Sequence, residues 1–198
     1  MSTLAKSYLT PEQYLEIERK AEFKSEYYQG EMFAMAGARR AHNLITTNAV
    51  RELSQQLLGG PCEVYPGEMR VKVSSTGLYT YPDVVVVCGE PQFLDDTFDT
   101  LLNPRVLIEI LSQSTEAYDR DKKFELYCSL DSLAEFVMIS STRVRVERYT
   151  RQPDGTWNYS SKASLEDSID LKSVGCHLRL ADVYIKVPFP QPPSPVGA

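Results

Sequence analysis

The stretch RVLIEIL at residues 105–111 decides the fold that this sequence predicts. It is short and almost wholly apolar, which is typical of a β-strand that is covered on both faces. Because successive side chains of a strand point to opposite faces, one face of this strand is entirely apolar and the other carries Glu109 between two leucines. The sequence therefore predicts a central strand with a single carboxylate in its buried surface.

Further strands are predicted on either side of this stretch. Residues 63–73 alternate in part between apolar and polar side chains, and residues 79–88 end in four valines and a cysteine, so we expect both segments to join the sheet. The polar residues 89–103 that follow should form a surface loop. Downstream, residues 135–140 and 143–151 are typical of two strands joined by a tight turn.

Helices are indicated at three places. Thr10 before Pro11 is a strong signal for the start of a first helix. Residues 38–58 have apolar side chains at helical spacing and are followed by Gly-Gly-Pro, which predicts the longest helix. Residues 119–130 predict a helix after the central strand. Upstream, residues 23–35 have a glycine between aromatic-rich flanks and predict a hairpin.

The order of these elements predicts a mixed α/β fold in one domain. We expect a mixed β-sheet core flanked by helices, with additional antiparallel strands, over residues 1–186. Residues 187–198 contain five prolines and no helical period, so they should form a flexible tail.

The composition limits the classes of function. The chain has 198 residues and a net charge of −6 at pH 7, which argues against a passive coat on nucleic acid because such proteins tend to be basic. No apolar run approaches the roughly 20 residues of a membrane span, and the N-terminus lacks the apolar middle of a signal peptide. We therefore expect a cytoplasmic protein that does not enter a membrane.

The four cysteines are Cys62, Cys88, Cys128 and Cys176, and they are far apart in the sequence. Zinc sites usually show close pairs of ligands, and small disulfide-bonded scaffolds have dense cysteines. Neither pattern is present, so we expect all four cysteines to be reduced thiols.

Glu109 is the first candidate for a site residue. An unpaired charge in a buried strand costs several kcal/mol or else takes up a proton, so this carboxylate needs a partner. The partner is either a basic side chain in a structural ion pair or a metal ion. Asp83, which follows Pro82 at the start of the valine-rich strand, is the second candidate, although a Pro-Asp pair is also common in turns that face water.

Lys123, in the helix predicted after the central strand, is the third candidate. Taken alone, Lys122 and Lys123 are both typical of solvated helix charges. Two carboxylates on neighbouring strands, however, could hold Mg²⁺ or Mn²⁺, and an ammonium beside them could orient a water and offset charge on a phosphate. Asp83, Glu109 and Lys123 together therefore favour phosphodiester hydrolysis. The two carboxyl groups should then lie close enough to share one cation.

At this point the sequence resembles a known family, the putative restriction endonucleases of the PD-(D/E)XK nuclease superfamily. The segments that carry the resemblance are YPDVVVV at 81–87, VLIEILS at 106–112, and Asp119-Arg120 with Lys123-Phe124 and Tyr127. It continues through YQGE at 28–31, His42-Asn43 and residues 132–139, and covers nearly all of the chain up to about residue 185. The resemblance implies a restriction-endonuclease-like fold.

The resemblance also implies roles for particular residues. Asp83 and Glu109 would be the metal ligands. The superfamily's usual lysine, two residues after the glutamate, is replaced here by Leu111, and Lys123 matches the position to which this family moves the basic group. Two upstream residues are weaker candidates for the site: His42 could bind metal, contact phosphate or carry a proton, and Glu31 could be an additional acidic residue.

The alternating strand at residues 143–148 is a further uncommitted feature. Arginines and a glutamate alternate there with valines. This pattern is typical of an exposed sheet face, and its functional alternative is a phosphate-tracking edge beside the site.

These observations lead to an expected function and its alternatives. We expect a Mg²⁺- or Mn²⁺-dependent endonuclease that acts on nucleic acid, DNA above all, and a homodimer is compatible with cutting both strands of a duplex. The alternative is a catalytically inactive nuclease fold that binds nucleic acid or protein, which the acidic net charge and Leu111 favour. An antitoxin-like partner-binding protein with an inherited pocket is a third interpretation.

Overall fold

The computed structural model describes residues 8–112 and 122–189 of the chain. The helices in these ranges are α1 (Pro11–Glu18), α2 (Arg40–Gln56), α3 (Phe124–Tyr127) and α4 (Leu180–Val183). The strands are β1 (Ser25–Tyr28), β2 (Glu31–Ala34), β3 (Cys62–Pro66), β4 (Arg70–Val73), β5 (Leu78–Thr80), β6 (Val84–Cys88), β7 (Thr100–Leu101), β8 (Val106–Leu111), β9 (Glu135–Ser140), β10 (Val146–Arg151), β11 (Trp157–Lys162), β12 (Ser168–Leu171) and β13 (Cys176–Arg179).

Strand β8 lies inside a six-stranded sheet, called the central sheet below, in the order β11-β10-β9-β8-β6-β3. It pairs antiparallel with β6 on one side and parallel with β9 on the other. All six of its residues are buried, as the apolar stretch at 105–111 predicted. The parallel pair requires a crossover, and the chain makes it through the segment that contains α3.

The two faces of the central sheet are covered by different layers. One face packs against α2, α4 and the β12–β13 hairpin, through Ile45, Leu53, Ile169 and Leu180. The other face packs against a second sheet and α3, and Leu107 and Leu111 of β8 belong to this face. Glu109 lies between those two leucines in the alternation of β8, so its side chain is directed to the layer formed by the second sheet and α3.

The second sheet has five strands in the order β2-β1-β5-β4-β7. Its outer hairpin, β1–β2, turns at Gln29 and Gly30, which both have positive φ values, as two-residue hairpin turns require. This is the hairpin that residues 23–35 predicted. Helix α1 packs on this sheet, and its start at Pro11 is capped by Thr10, as predicted.

Two strand predictions were wrong in one respect. Each predicted segment forms two strands, one in each sheet. Residues 63–73 form β3 of the central sheet and β4 of the second sheet, with a turn at Gly67. Residues 79–88 form β5 of the second sheet and β6 of the central sheet, and they change sheet at 81–83. Pro82 has no N–H to donate to a ladder, so the strand is interrupted where Asp83 stands.

Three other predictions are corrected. Residues 89–103 are more than a surface loop, because they contain β7, which pairs with β4 and buries Leu101 completely. The predicted helix at 119–130 is described only from residue 122, and its α-helical part is α3. Residues 187–189 belong to the predicted flexible tail, but Val187 and Phe189 pack against the apolar layer under α4; residues 190–198 lie outside the described ranges.

The prediction of four reduced thiols was wrong for one pair, because Cys62 and Cys88 form a disulfide. They stand directly opposite each other on the antiparallel strands β3 and β6. This proximity depends on strand register, which spacing along the sequence does not reveal. Cys128 and Cys176 are free thiols.

The predicted mixed α/β fold is confirmed in its layers and topology. Within residues 8–112 and 122–189, no helix is both long and apolar enough to cross a membrane. The limit of the domain at residue 186 stays a prediction.

A buried arginine ties helix α1 to the second sheet. Arg70 of β4 is 2 % exposed, and its guanidinium donates to the Thr100 hydroxyl at 2.9 Å and to the Tyr81 hydroxyl at 2.8 Å. It also forms an ion pair of 2.7 Å with Asp99, which in turn pairs with Arg19 after α1 at 2.8 Å. Burial raises the pKa of Asp99, but Arg19, Thr100 and Arg70 outweigh it and hold that pKa well below its ordinary value.

We predict that Asp99→Asn lowers the free energy of unfolding at pH 7 by about 1–3 kcal/mol, because it leaves the buried Arg70 guanidinium without its charged partner. A depressed folded-state pKa contributes stability above the unfolded value, about 3.9, and loses it as pH falls toward the folded value. The difference between wild type and variant should therefore shrink below about pH 4. Urea denaturation at several pH values measures it, with the exposed Asp96→Asn as control. A deficit that does not change with pH would contradict this account.

Candidate active site

The two carboxylates predicted from the sequence, Asp83 and Glu109, both lie next to the last residue pair of β6 and β8, where the chain enters the central sheet. Asp83 directly precedes β6, one residue before the pair of Val84 with Ile108, and Glu109 directly follows Ile108 in β8. The Asp83 carboxylate is fixed by the backbone of β8, because the Ile110 N–H donates to its Oδ2 at 2.7 Å.

Among the described residues, Lys123 and Tyr127, from the segment that contains α3, contact Glu109. The residue is 4 % exposed, and its Oε1 lies 3.1 Å from Lys123 Nζ and accepts a hydrogen bond of 2.8 Å from the Tyr127 hydroxyl. Burial, followed by the charge of Glu109, raises the pKa of Tyr127 well above its ordinary value. The phenol is therefore protonated and acts as a donor at neutral pH.

Lys123 contacts a second carboxylate that the sequence analysis did not select. Its ammonium lies 3.0 Å from Glu26 Oε1, and Lys123 and Glu26 are 5 % and 8 % exposed. Lys122 has a different environment: its side chain is 45 % exposed, 3.8 Å from Glu125 and above the Tyr28 ring. Of the two adjacent lysines, Lys123 is therefore the one at Glu109, while its catalytic role stays a prediction.

Helix α2 brings His42 to Asp83. His42 Nε2 lies 3.1 Å from Asp83 Oδ1, and both side chains are about four-fifths buried. Among the described residues, His42 Nδ1 is buried and has no hydrogen-bond partner. The histidine therefore shares the Asp83 carboxylate with the backbone of β8, and any role as a ligand or proton carrier stays a prediction.

Glu31 begins β2, at the turn end of the hairpin, opposite Tyr28. Glu26, on the same hairpin and the same face, is the residue that reaches Lys123. A site role for Glu31 stays a prediction. Asp119 and Arg120, which contributed to the resemblance, lie outside the described residues.

The sequence shows which face of β1 carries Glu26, but not what covers that face in the folded chain. Tyr27 is 4 % exposed and packs with Tyr14 and Tyr79, so its neighbour Glu26 must point to the opposite face of β1. Sequence alternation gives that face. It does not reveal that α3 covers it.

The position of Leu111 explains how the site differs from the usual superfamily pattern. Leu111 is 1 % exposed and belongs to the apolar layer between the two sheets. A lysine there would have to replace core packing. The ammonium comes instead from Lys123, which reaches Glu109 from the segment that contains α3.

The donor set fits a cation that keeps most of its water. In the part of the chain that the structure describes, no three His, Cys, Asp or Glu side chains form a ready metal-binding group. Asp83 and Glu109 each lie one residue from the Val84–Ile108 pair of β6 and β8, with Asp83 against His42 of α2 and Glu109 against Lys123. Mg²⁺ is usually bound by one or two carboxylates together with waters and phosphate oxygens, rather than by an all-protein cage. The residues present are compatible with that mode.

The alternating strand at residues 143–148 has a structural role. The strand at 143–148 is not a sheet edge, since β10 lies between β9 and β11. Arg145 pairs with Glu147 at 3.0 Å, and Arg148 lies 3.8 Å from the buried Glu135. The phosphate-tracking edge suggested by this pattern is therefore not formed.

Comparison with known proteins assigns these features to a family. The model of the Uma2 family, described as "Putative restriction endonuclease", matches residues 11–181. Two proteins of Synechocystis sp. (strain ATCC 27184 / PCC 6803 / Kazusa) are similar: the uncharacterized protein slr1290 is 34 % identical over 184 residues, covering 91 % of this chain and 94 % of the relative. The uncharacterized protein sll1609 is 36 % identical over 149 residues, covering 75 % and 84 %.

A solved structure has the same fold. It is the crystal structure of a putative nuclease belonging to DUF820 from Anabaena variabilis ATCC 29413, with a TM-score of 0.73 and 18 % sequence identity. The match covers 88 % of this chain and 96 % of that one. The restriction-endonuclease-like fold class predicted from the sequence is confirmed.

We predict that Lys123→Ala lowers the free energy of unfolding by about 3–5 kcal/mol, because it leaves the buried carboxylates of Glu26 and Glu109 without their shared cation. Adding Glu109→Gln to Lys123→Ala should recover part of this loss, since one of the two charges is then removed. Urea denaturation measures both changes. Lys122→Ala is the matched control and should change stability by about 0.5 kcal/mol or less. Equal costs for the two lysines would show that Lys123 does not form this buried pair.

Proposed function

Since this chain belongs to the Uma2 family, we propose that it is a metal-dependent phosphodiester hydrolase, an endonuclease that cleaves DNA. The observation that carries the proposal is the arrangement of three groups: Asp83 and Glu109, each one residue from the Val84–Ile108 pair of β6 and β8, and the Lys123 ammonium 3.1 Å from Glu109. Two carboxylates can hold a divalent cation, and an ammonium can stabilise the charge that develops on a phosphodiester during hydrolysis.

Asp83 and Glu109 would hold Mg²⁺ or Mn²⁺. When bound, the ion polarises the scissile phosphate and lowers the pKa of a bound water. The chain's own contribution is to keep the two carboxylates in place. The Ile110 N–H fixes Asp83, and the Tyr127 hydroxyl fixes Glu109.

Lys123 would supply the positive charge that offsets negative charge on the phosphate during the reaction. Its ammonium is buried between two carboxylates, so it is oriented before substrate arrives, and little reorganisation is needed. His42, which lies against Asp83, would keep that carboxylate oriented and could carry a proton away from the site.

DNA is the substrate favoured by the description of the family as restriction endonucleases. The net charge of −6 does not prevent this, because a bound divalent cation reverses the local field at the carboxylates. An enzyme that cuts both strands of a duplex needs two sites, so we propose a homodimer as the cutting form.

A second function has a specific observation in its favour. Leu111 stands where the superfamily's usual lysine would be, and Lys123 is engaged by two glutamates. A lysine held this tightly could be structural only. The chain would then be a nuclease fold that binds nucleic acid or a protein without cleaving, and its affinity for DNA would not depend on Mg²⁺.

We predict Mg²⁺-dependent cleavage of plasmid DNA by the wild-type protein and its loss with a chelator. Asp83→Asn, Glu109→Gln and Lys123→Ala should each lower the rate by about 100-fold or more, the scale of removing one group that stabilises a transition state. Lys122→Ala should retain the wild-type rate. Gel electrophoresis of nicked and linear products measures this. Retention of DNA with no cleavage in Mg²⁺ or Mn²⁺ would favour the binding module instead.

A further inference from the structure

We infer that Glu26 is a positioning residue of this site, which holds the Lys123 ammonium toward the reacting phosphate, and that the β1–β2 hairpin is therefore part of the active site. The inference rests on the proposed function. Its first support is geometric: Lys123 Nζ lies 3.0 Å from Glu26 Oε1 and 3.1 Å from Glu109 Oε1. The ammonium is thus anchored from both sheets.

The two carboxylates have matching surroundings. The Tyr127 hydroxyl donates to Glu109 Oε1, and the Thr80 hydroxyl donates to Glu26 Oε1. Each of these oxygens therefore receives one hydroxyl proton and contacts the same ammonium. Thr80 and Tyr127 are themselves 3.4 Å apart, so the five side chains form a closed ring, called the Lys123 ring below.

Register explains why Glu26 reaches this place. Tyr27 of β1 pairs with Tyr79 of β5, and continuing the antiparallel register by one residue sets Glu26 opposite Thr80. The donor that satisfies Glu26 is therefore built into the second sheet. Because a buried carboxylate without donors is strongly destabilising, the arrangement indicates a specific role for this charge.

A second contact joins β1 to the residues that precede α3. Tyr28, which shares a face of β1 with Glu26, lies under the Lys122 ammonium at 5.6 Å from the ring centroid. Alternate residues of β1 thus contact consecutive lysines ahead of α3. The β1 strand of the hairpin therefore contacts both lysines, and Glu26 supplies the charged contact with Lys123.

The balance of charges in the Lys123 ring indicates that Glu26 can hold the ammonium when Glu109 is engaged with a metal ion. One ammonium in the Lys123 ring faces two carboxylates. If Glu109 serves as a metal ligand, part of its negative charge is used by the cation, and its hold on Lys123 weakens. Glu26 would then keep the ammonium in position during the reaction.

The test is Glu26→Gln, which removes the charge and nearly preserves the shape. We expect kcat for DNA cleavage to fall by about 10-fold or more with KM changed less than about twofold, because the residue acts through Lys123 and not on DNA binding. Glu26→Asp, which restores the charge, should recover part of kcat. Glu18→Gln is the matched control: Glu18 is also buried and accepts hydrogen bonds from Ser25 and Tyr81, and it should leave kcat unchanged.

A second readout does not depend on activity. A buried, hydrogen-bonded ammonium exchanges protons slowly enough to be observed in a proton–nitrogen correlation spectrum, and Lys123→Met assigns the signal. Glu26→Gln should shift or broaden this resonance, and Glu18→Gln should not. If Glu26→Gln is poorly folded by circular dichroism, Thr80→Val, which replaces the hydroxyl donor to Glu26 with a methyl group, takes its place and should shift the resonance too.

The outcomes separate this inference from the proposed function. A shifted Lys123 resonance in a protein that never cleaves DNA would support the positioning by Glu26 and overturn the nuclease proposal. Normal cleavage together with an unchanged Lys123 resonance in Glu26→Gln would overturn the inference and leave the nuclease proposal intact.

Discussion

Among the described residues, the Lys123 ammonium and the Tyr127 phenol compensate the buried carboxylate of Glu109, and the arrangement of the layers around β8 follows from that requirement. Strand β8 is otherwise apolar on both faces and contributes all six of its residues to the core. A charge in such a strand is tolerated only when donors reach it. The crossover from β8 to β9 delivers them, because Lys123 and Tyr127 are one helical turn apart and both reach Glu109.

The second constraint is the interruption of the strand at Pro82, which separates β5 from β6. There the backbone leaves the second sheet and enters the central sheet, and Asp83 is the first residue after the change. Its carboxylate is held by the backbone of β8 and lies against His42 of α2. The same junction leaves Thr80 at the end of β5, where its hydroxyl donates to Glu26. Both halves of the site therefore depend on where the two sheets separate.

The sequence predicted those parts that depend on local pattern. The burial of Glu109 followed from the alternation of β8, and the choice of Lys123 followed from the family resemblance. The break at Pro82 into two sheets, the Cys62–Cys88 disulfide and the contact of Glu26 with Lys123 were not predicted. Each of these depends on which strands become neighbours. That information resides in long-range packing, and no single stretch of the sequence carries it.

The central claim is that Asp83 and Glu109 form a cation site, and calorimetric titration with Mn²⁺ tests it most directly. Binding requires neither a DNA substrate nor turnover. The account predicts that the wild-type protein binds about one Mn²⁺ per chain, that Asp83→Ala abolishes this binding, and that Ala at the exposed Asp96 leaves it unchanged, since two carboxylates suffice for a hard divalent cation. Identical isotherms for wild type and Asp83→Ala, or no binding heat in the wild type, would contradict the account.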